Sequence, residues 1–301
     1  LYSFEYLGCA YPEQWPDSPS YSYIGARNTL GSQEARQRVA AHEFFHAIQF
    51  YYDCTEESWW METTATHMVH EVYPDVKAHY GSLPYWFQYC DTYGLESTEE
   101  YHEYANFIFA KRLSEDFGDE IIKEIWQEMV STDGLVAIEN TLVSKNSTLV
   151  NEFSKFITAN FFLEDMYEEG TGYREAVTGK TTFNGVWLEY QYDASTAPYY
   201  LEINRTNVNR DAWMDKWASD YITLKLEPAK SKYRISFDGL DLTTNYLVKL
   251  ATKKEGVINE TIFNLNVQKD GYLDLIYDTF ENITLIVANA GNTATTNPSW
   301  R

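Results

Sequence analysis

Two histidines and a glutamate occur in the run His42-Glu43-Phe44-Phe45-His46. On an α-helix, residues four apart lie one above the other, so both imidazoles face the same way and can reach one metal ion. The glutamate between them projects at a neighbouring angle. There its carboxylate can hold and deprotonate a metal-bound water. Sixteen residues past His46, Glu62 stands within Trp59-Trp60-Met61-Glu62-Thr63-Thr64-Ala65. A solvated charge does not belong among tryptophans and small residues, and a buried carboxylate needs a partner such as a metal. Catalytic zinc takes three protein ligands and keeps one position open, and two histidines with one glutamate is one of its known sets. The plainer alternative is a chance pentapeptide with two satisfied histidines, and Glu62 as an ordinary surface acid.

These side chains need helices to hold them. Ser32-Gln33-Glu34 reads as a cap with acid in the first turn, and the pattern predicts a helix over 33–52. Ala40, Phe44, Ala47, Ile48 and Tyr51 recur at helical spacing and are expected to face the core. His42, His46 and Gln49 fall on a different stripe, which is expected to face a cleft. Thr55, followed by Glu56 and Glu57, is read as the cap of a second helix over 56–72, ended by Pro74.

H-E-F-F-H-A-I-Q followed by W-W-M-E-x-x-A-T resembles the gluzincin clan of zinc metallopeptidases. The closest likeness is to secreted bacterial and archaeal metalloproteases that read W-M-E-G-x-A-T here; this chain departs from them at Thr63, where they usually have glycine. The likeness is good from about Tyr21 to Gly118, and loose around Trp217-Ala218-Ser219-Asp220-Tyr221 and the strands after it. The resemblance implies His42, His46 and Glu62 as ligands of a Zn2+ cofactor, Glu43 as general base, and a peptide or protein substrate. It also implies that a downstream Tyr or His donates a hydrogen bond to the tetrahedral oxyanion. Tyr104 is the candidate, with His102 and Tyr101 next; the alternative is a buried tyrosine bonding a backbone carbonyl. An edge strand over Ser20-Tyr21-Ser22-Tyr23-Ile24 is expected to hold extended substrate by main-chain hydrogen bonds.

A formal charge of −22 argues against nucleic acid and anionic membranes as partners, since no basic footprint offsets the acid. Hydrophobic residues at 44% and aromatics at 17% allow a substantial core. Twenty-five tyrosines suit a secreted, partly wet surface. No apolar run is long enough to span a bilayer. The chain carries no signal peptide and is read as a mature or trimmed fragment, so secretion to the exterior or the cell surface remains the expectation. Sequons at Asn146, Asn204, Asn259 and Asn282 permit glycosylation. Of three cysteines, Cys54 and Cys90 flank the third-ligand helix and its following loop, which suggests a disulfide and leaves Cys9 over; three thiols are the alternative.

Residues 74–96 are expected to be a loop whose Trp86, Phe87 and Tyr89 either line a pocket or pack it down. A third helix is expected from the capping-box pattern Ser97-Thr98-Glu99-Glu100 to Gly118. A fourth carries Ile121, Ile122, Ile125, Trp126 and Met129; a further one, capped near Asn146-Ser147, carries Leu149, Phe153, Phe156, Ile157 and Phe161. The acids of Glu164–Glu175 read as a solvated connector. From Tyr221 the period becomes two, in six runs: Ile222-Leu226, Tyr233-Phe237, Tyr246-Leu250, Phe263-Val267, Leu273-Tyr277 and Ile283-Val287. The expected fold is therefore α+β, with a mostly helical zincin-like domain over 1–195 and an all-β sandwich over 196–301 that carries no catalytic cluster. The competing reading is an extracellular binding or cell-surface protein with a structural or inactive zinc site. It would require a fourth protein ligand, for which His67 and His70 are the candidates.

Overall fold

A short antiparallel hairpin, β1 (Gly8–Pro12) on β2 (Ser22–Ala26), lies against the first long helix, α1 (Gln33–Tyr52). The expected edge strand is thus part of this hairpin, and Ser20 and Tyr21 lie outside the described residues. The computed structural model describes residues 8–12, 22–26, 31–178, 189–193, 213–226, 232–276, 278–291 and 295–296. Two compact units result. One comprises Leu1–Trp86, Glu96–Glu152 and Leu163–Val177; the other comprises Phe87–Leu95, Phe153–Phe162 and Thr178–Arg301. The α+β class holds: among the described residues the helices lie before residue 178, and every strand but β1 and β2 lies after it. The expected boundary at 195 lies outside the described residues, as do Asn204 and Tyr277.

In the first unit the Ser32 hydroxyl accepts the Ala35 N–H at 3.0 Å and starts α1 as expected. The helix's rotation is not the expected one. Val39, Ala41, Glu43, Phe45, His46, Gln49 and Phe50 are buried. Phe44 and Tyr51, placed in the core by periodicity, are 60% and 63% exposed, and Ile48 and Ala40 are also exposed. The inward face of α1 carries buried polar bonds, and breaking each would cost about 1–3 kcal/mol. Those bonds set the rotation, and the apolar stripe turns outward.

The second helix, α2 (Ser58–Val72), packs on α1. Thr55 does not cap it: its N–H and hydroxyl both go to Asp53 Oδ1, each at 2.7 Å, and the helix begins after Glu57. The expected loop over 74–96 contains a 3₁₀ turn (Ala78–Ser82) and α3 (Leu83–Tyr89). Trp86 and Phe87 are fully buried and so pack the segment down.

The expected third helix is broken in two. Glu100 and Tyr101 both adopt left-handed backbone (φ 53° and 62°), which costs an L-residue about 1–2 kcal/mol each. After them come α4 (His102–Ala105) and α5 (Phe107–Phe117). The Ser97 hydroxyl accepts only the Glu99 N–H, so the capping box does not form. Next are α6 (Glu120–Glu128), with Ile121, Ile122, Ile125 and Trp126 buried as the stripe predicts, and α7 (Gly134–Ser144), which the periodicity did not disclose. The following helix, α8 (Leu149–Phe161), is capped at Thr148, whose hydroxyl accepts the Asn151 N–H. The expected solvated connector instead folds into α9 (Leu163–Met166) and α10 (Gly170–Val177). Its acids are used: Lys111 Nζ lies 3.3–3.6 Å from carboxylate oxygens of Glu115, Glu168 and Glu169.

In the second unit the strands are β3 (Glu189–Asp193), β4 (Trp213–Met214), β5 (Ser219–Lys225), β6 (Lys232–Asp238), β7 (Tyr246–Lys254), β8 (Val257–Ile262), β9 (Asp270–Ile276), β10 (Asn282–Asn289) and β11 (Thr295–Thr296). They form a five-stranded sheet in the order β3-β5-β10-β7-β8, with pairs β6-β9 and β11-β4. The period-two residues Ile222, Leu224, Phe237, Tyr246, Val248, Leu250, Ile283, Leu285 and Val287 gather into one core with Phe263. Phe263 itself has left the strand, and Val267 is 83% exposed; β8 lies before them, because Glu255-Gly256 turns the chain directly after β7. The opposite sheet face is covered by helical residues. Tyr221 donates its hydroxyl to Ile157 O at 2.9 Å, and the fully buried Lys249 bonds Ser154 and Glu260. With both faces covered, β7 and β10 are buried nearly throughout. Gly94 is required by close approach: a Cβ there would lie 1.6 Å from Lys216 O. No cysteine forms a disulfide among the described residues, so Cys54 and Cys90 are not bridged. No helix among the described residues is long and apolar enough to cross a membrane.

Candidate metal centre

His42 and His46 sit one turn apart on α1, and Glu62 is in the second turn of α2. The packing of these two helices brings three donor atoms together. His42 Nε2 lies 3.0 Å from Glu62 Oε2, His46 Nε2 lies 3.1 Å from His42 Nε2, and His46 Nε2 lies 3.6 Å from Glu62 Oε2. A tetrahedral zinc with bonds of about 2.0–2.1 Å sets its donor atoms about 3.3 Å apart, so this set fits the ion in both chemistry and spacing. All three side chains are at least half-buried.

A buried hydrogen-bond chain orients the second histidine. Gln49 Nε2 donates to Met61 O and to Thr64 Oγ1, both at 2.9 Å. A carbonyl can only accept, so the amide orientation is determined and Gln49 Oε1 faces His46 Nδ1 at 2.6 Å. Nδ1 must therefore carry a proton, which leaves the Nε2 lone pair available to a metal. Thr64 is itself saturated, donating to Trp60 O and also accepting from Trp126 Nε1. The chain thus links α1, α2 and α6. Sequence reasoning placed Gln49 on the ligand stripe but missed its role; its i+3 spacing from His46 was the available signal.

Charge balance at the site follows from these contacts. Burial alone would raise the Glu62 carboxyl, but the two imidazoles facing it prevail and hold it at about 2. Burial lowers His42. For His46 burial is outweighed by Glu62 and by Gln49, and its pKa is raised. A metal binding here would release that proton. Glu43 is 7% exposed, and burial raises it to about 7, with His46 lowering it and Glu62 raising it. The wall against Glu43 is β1: a Cβ on Gly8 would come within 2.7 Å of Glu43 Oε1 and 2.5 Å of Val39. Only glycine lets the strand come this close, a point that sequence reasoning did not reach.

The other expected residues divide. The Tyr104 ring stacks on His42 with centroids 6.0 Å apart, and burial and then the Glu62 carboxylate push its phenol well above the usual range. Beside it, the Thr63 hydroxyl donates to Glu103 O at 3.0 Å, so the residue that stands in place of glycine ties α2 to α4. His102 is fully buried, 4.4 Å from Trp86 between ring centroids, and is out of reach of a substrate. Tyr101 is 61% exposed. Neither proposed fourth ligand joins the centre: His67 Nε2 is 3.1 Å from Ser114 Oγ, and His70 Nε2 is 2.9 Å from Glu169 Oε1. Two other acidic groups, Asp53-Glu56-Asp133 and Glu115-Glu168-Glu169, also cluster, the second around Lys111.

A family model described as a family of unknown function (DUF6055) matches residues 24–259, a span that includes His42, Glu43, His46, Glu62 and Tyr104. No curated protein and no solved structure matches the chain.

Proposed function

The chain belongs to the DUF6055 family, and we propose that it is a secreted zinc-dependent metallopeptidase. The observation that carries this reading is the convergence of His42, His46 and Glu62 donor atoms within 4.8 Å of one another, beside the buried carboxylate of Glu43. Zinc held by these three residues would act as a Lewis acid and lower the pKa of a coordinated water to about 7. Glu43 takes the proton of the attacking water and returns it to the leaving amine. Burial raises its carboxyl to about 7, near the operating pH, and a dication held by the three residues would favour its carboxylate form. Tyr104, whose phenol stays protonated at any working pH, donates to the developing oxyanion. The hairpin strand β1, with its backbone against Glu43, offers main-chain groups to an extended peptide. A closed, structural site would need a fourth protein ligand; the engagement of His67 with Ser114 and of His70 with Glu169 favours an open one. Asn146 and Asn259 are exposed and Asn282 is half-buried, which suits glycosylation of the first two outside the cell.

The test compares zinc-loaded wild type with Glu43→Gln on a mixed peptide library. The variant is expected to keep one zinc and lose turnover by about a thousandfold, within the usual range for a general base. Full activity in the variant, or a wild type that takes up no zinc, would sink the reading.

A further inference from the structure

Three tyrosine rings lead away from the metal centre. Tyr104 stacks on His42, Tyr101 lies 6.4 Å from Tyr104, and Tyr85 lies 5.4 Å from Tyr101, measured between ring centroids. The middle ring is presented to solvent, Tyr101 being 61% exposed, and Tyr85 beyond it is half-buried. Three carboxylates flank the row. Glu99 and Glu100 are exposed and immediately precede Tyr101; Glu103 follows it and is half-buried. Among the described residues none of the three forms an ion pair, whereas Glu115, Asp116 and Glu169 pair with Lys111 or Arg112. One oxygen of Glu103, shut off from solvent, has no hydrogen-bond partner at all. Burial raises its carboxyl to about 7, with a backbone N–H lowering it and the Glu62 and Glu99 charges raising it further.

We infer that this row of rings and acids is the subsite for a basic side chain, lysine or arginine, of the peptide substrate. The aromatic faces attract a cation within about 6 Å of their centroids, and the unpaired acids set the sign of the charge accepted. A leucine in the same place gains the ring contact without the charge, and a glutamate is repelled. The distance of the outer rings from His42 suits a long side chain rather than a group beside the reacting carbonyl. The assignment rests on the peptidase reading and names the substrate class for that site.

The experiment uses the zinc-loaded full chain and peptides that are acetylated and amidated at their ends, so that no terminal ammonium competes. They differ at one residue, arginine, lysine, leucine or glutamate, stepped across each position around the cleaved bond. At one position kcat/KM for the basic peptides is expected to exceed that for leucine by about tenfold, within the range of cation–π and charge attraction. Glu103→Gln and Tyr101→Ala are each expected to bring that ratio towards one, with zinc content unchanged. No basic preference at any position, or a fall that is equal on basic and leucine peptides, overturns the subsite. If zinc-loaded wild type cuts none of the peptides, the peptidase reading falls first. Titration of the arginine and leucine peptides into wild type and Glu103→Gln then judges the subsite alone: equal affinities in wild type, or an unchanged preference in the variant, overturn it.

Discussion

Gln49 decides which ring nitrogen His46 turns towards the candidate metal centre. Its amide is pinned by Met61 O and Thr64 Oγ1, and its remaining oxygen takes the Nδ1 proton of His46. Gln49→Leu keeps the volume and removes the acceptor. It is expected to weaken zinc binding by about 10–100-fold, as loss of such supporting bonds does elsewhere, and competition against a chromogenic chelator measures it. An unchanged affinity would mean that the His46 orientation is set by packing alone. The proposed ligands could be read from H-E-x-x-H and a glutamate among tryptophans, because spacing on a helix is a local property. The support could not be read, because Thr64 and Trp126 come from helices whose packing no local pattern encodes.

Glu56 acts on two elements. Its carboxylate accepts the Glu57 N–H at the start of α2 and the Gly134 N–H at the start of α7. It is 5% exposed, and burial, with Glu57 and Asp133 nearby, raises it to about 7 despite those bonds. The unfolded chain would bind its proton near 4.5, so between pH 4.5 and 7 the folded state holds more protons than the unfolded one. Stability from this group is therefore full below pH 4.5 and lost as pH rises through 7. Glu56→Gln is expected to remove that slope and to be the more stable protein at pH 8 by about 2 kcal/mol, as read by urea unfolding at several pH values. A parallel pH dependence in both proteins would refute it. The helix starts were legible only where a short side chain caps its own turn, as at Ser32. Glu56 reaches 78 residues along the chain to cap α7, and α7 itself went unseen.

At the scale of the molecule, the proposed zinc joins α1 to α2 and should stabilise the unit that contains them. At a thousandfold excess over the dissociation constant such a ligand contributes about 4 kcal/mol. Chelation is expected to lower that unit's unfolding temperature by on the order of 10 °C, with recovery on adding zinc back, followed by calorimetry. No shift would argue that the centre holds no metal. Sequence alone determined the spacing of the proposed ligands, the α+β class, the first helix and the alternating residues of the sheet core. Each of these depends on contacts within a turn or along one strand. Only the tertiary structure decided which way α1 faces, since buried polar bonds to α2 outweigh an apolar stripe of Phe44, Ile48 and Tyr51. It also decided where the helix before Tyr104 breaks, and that Phe153–Phe162 join the sheet unit. Those outcomes balance desolvation, hydrogen bonding and packing between residues distant in sequence, and no window along the chain contains both sides of that balance.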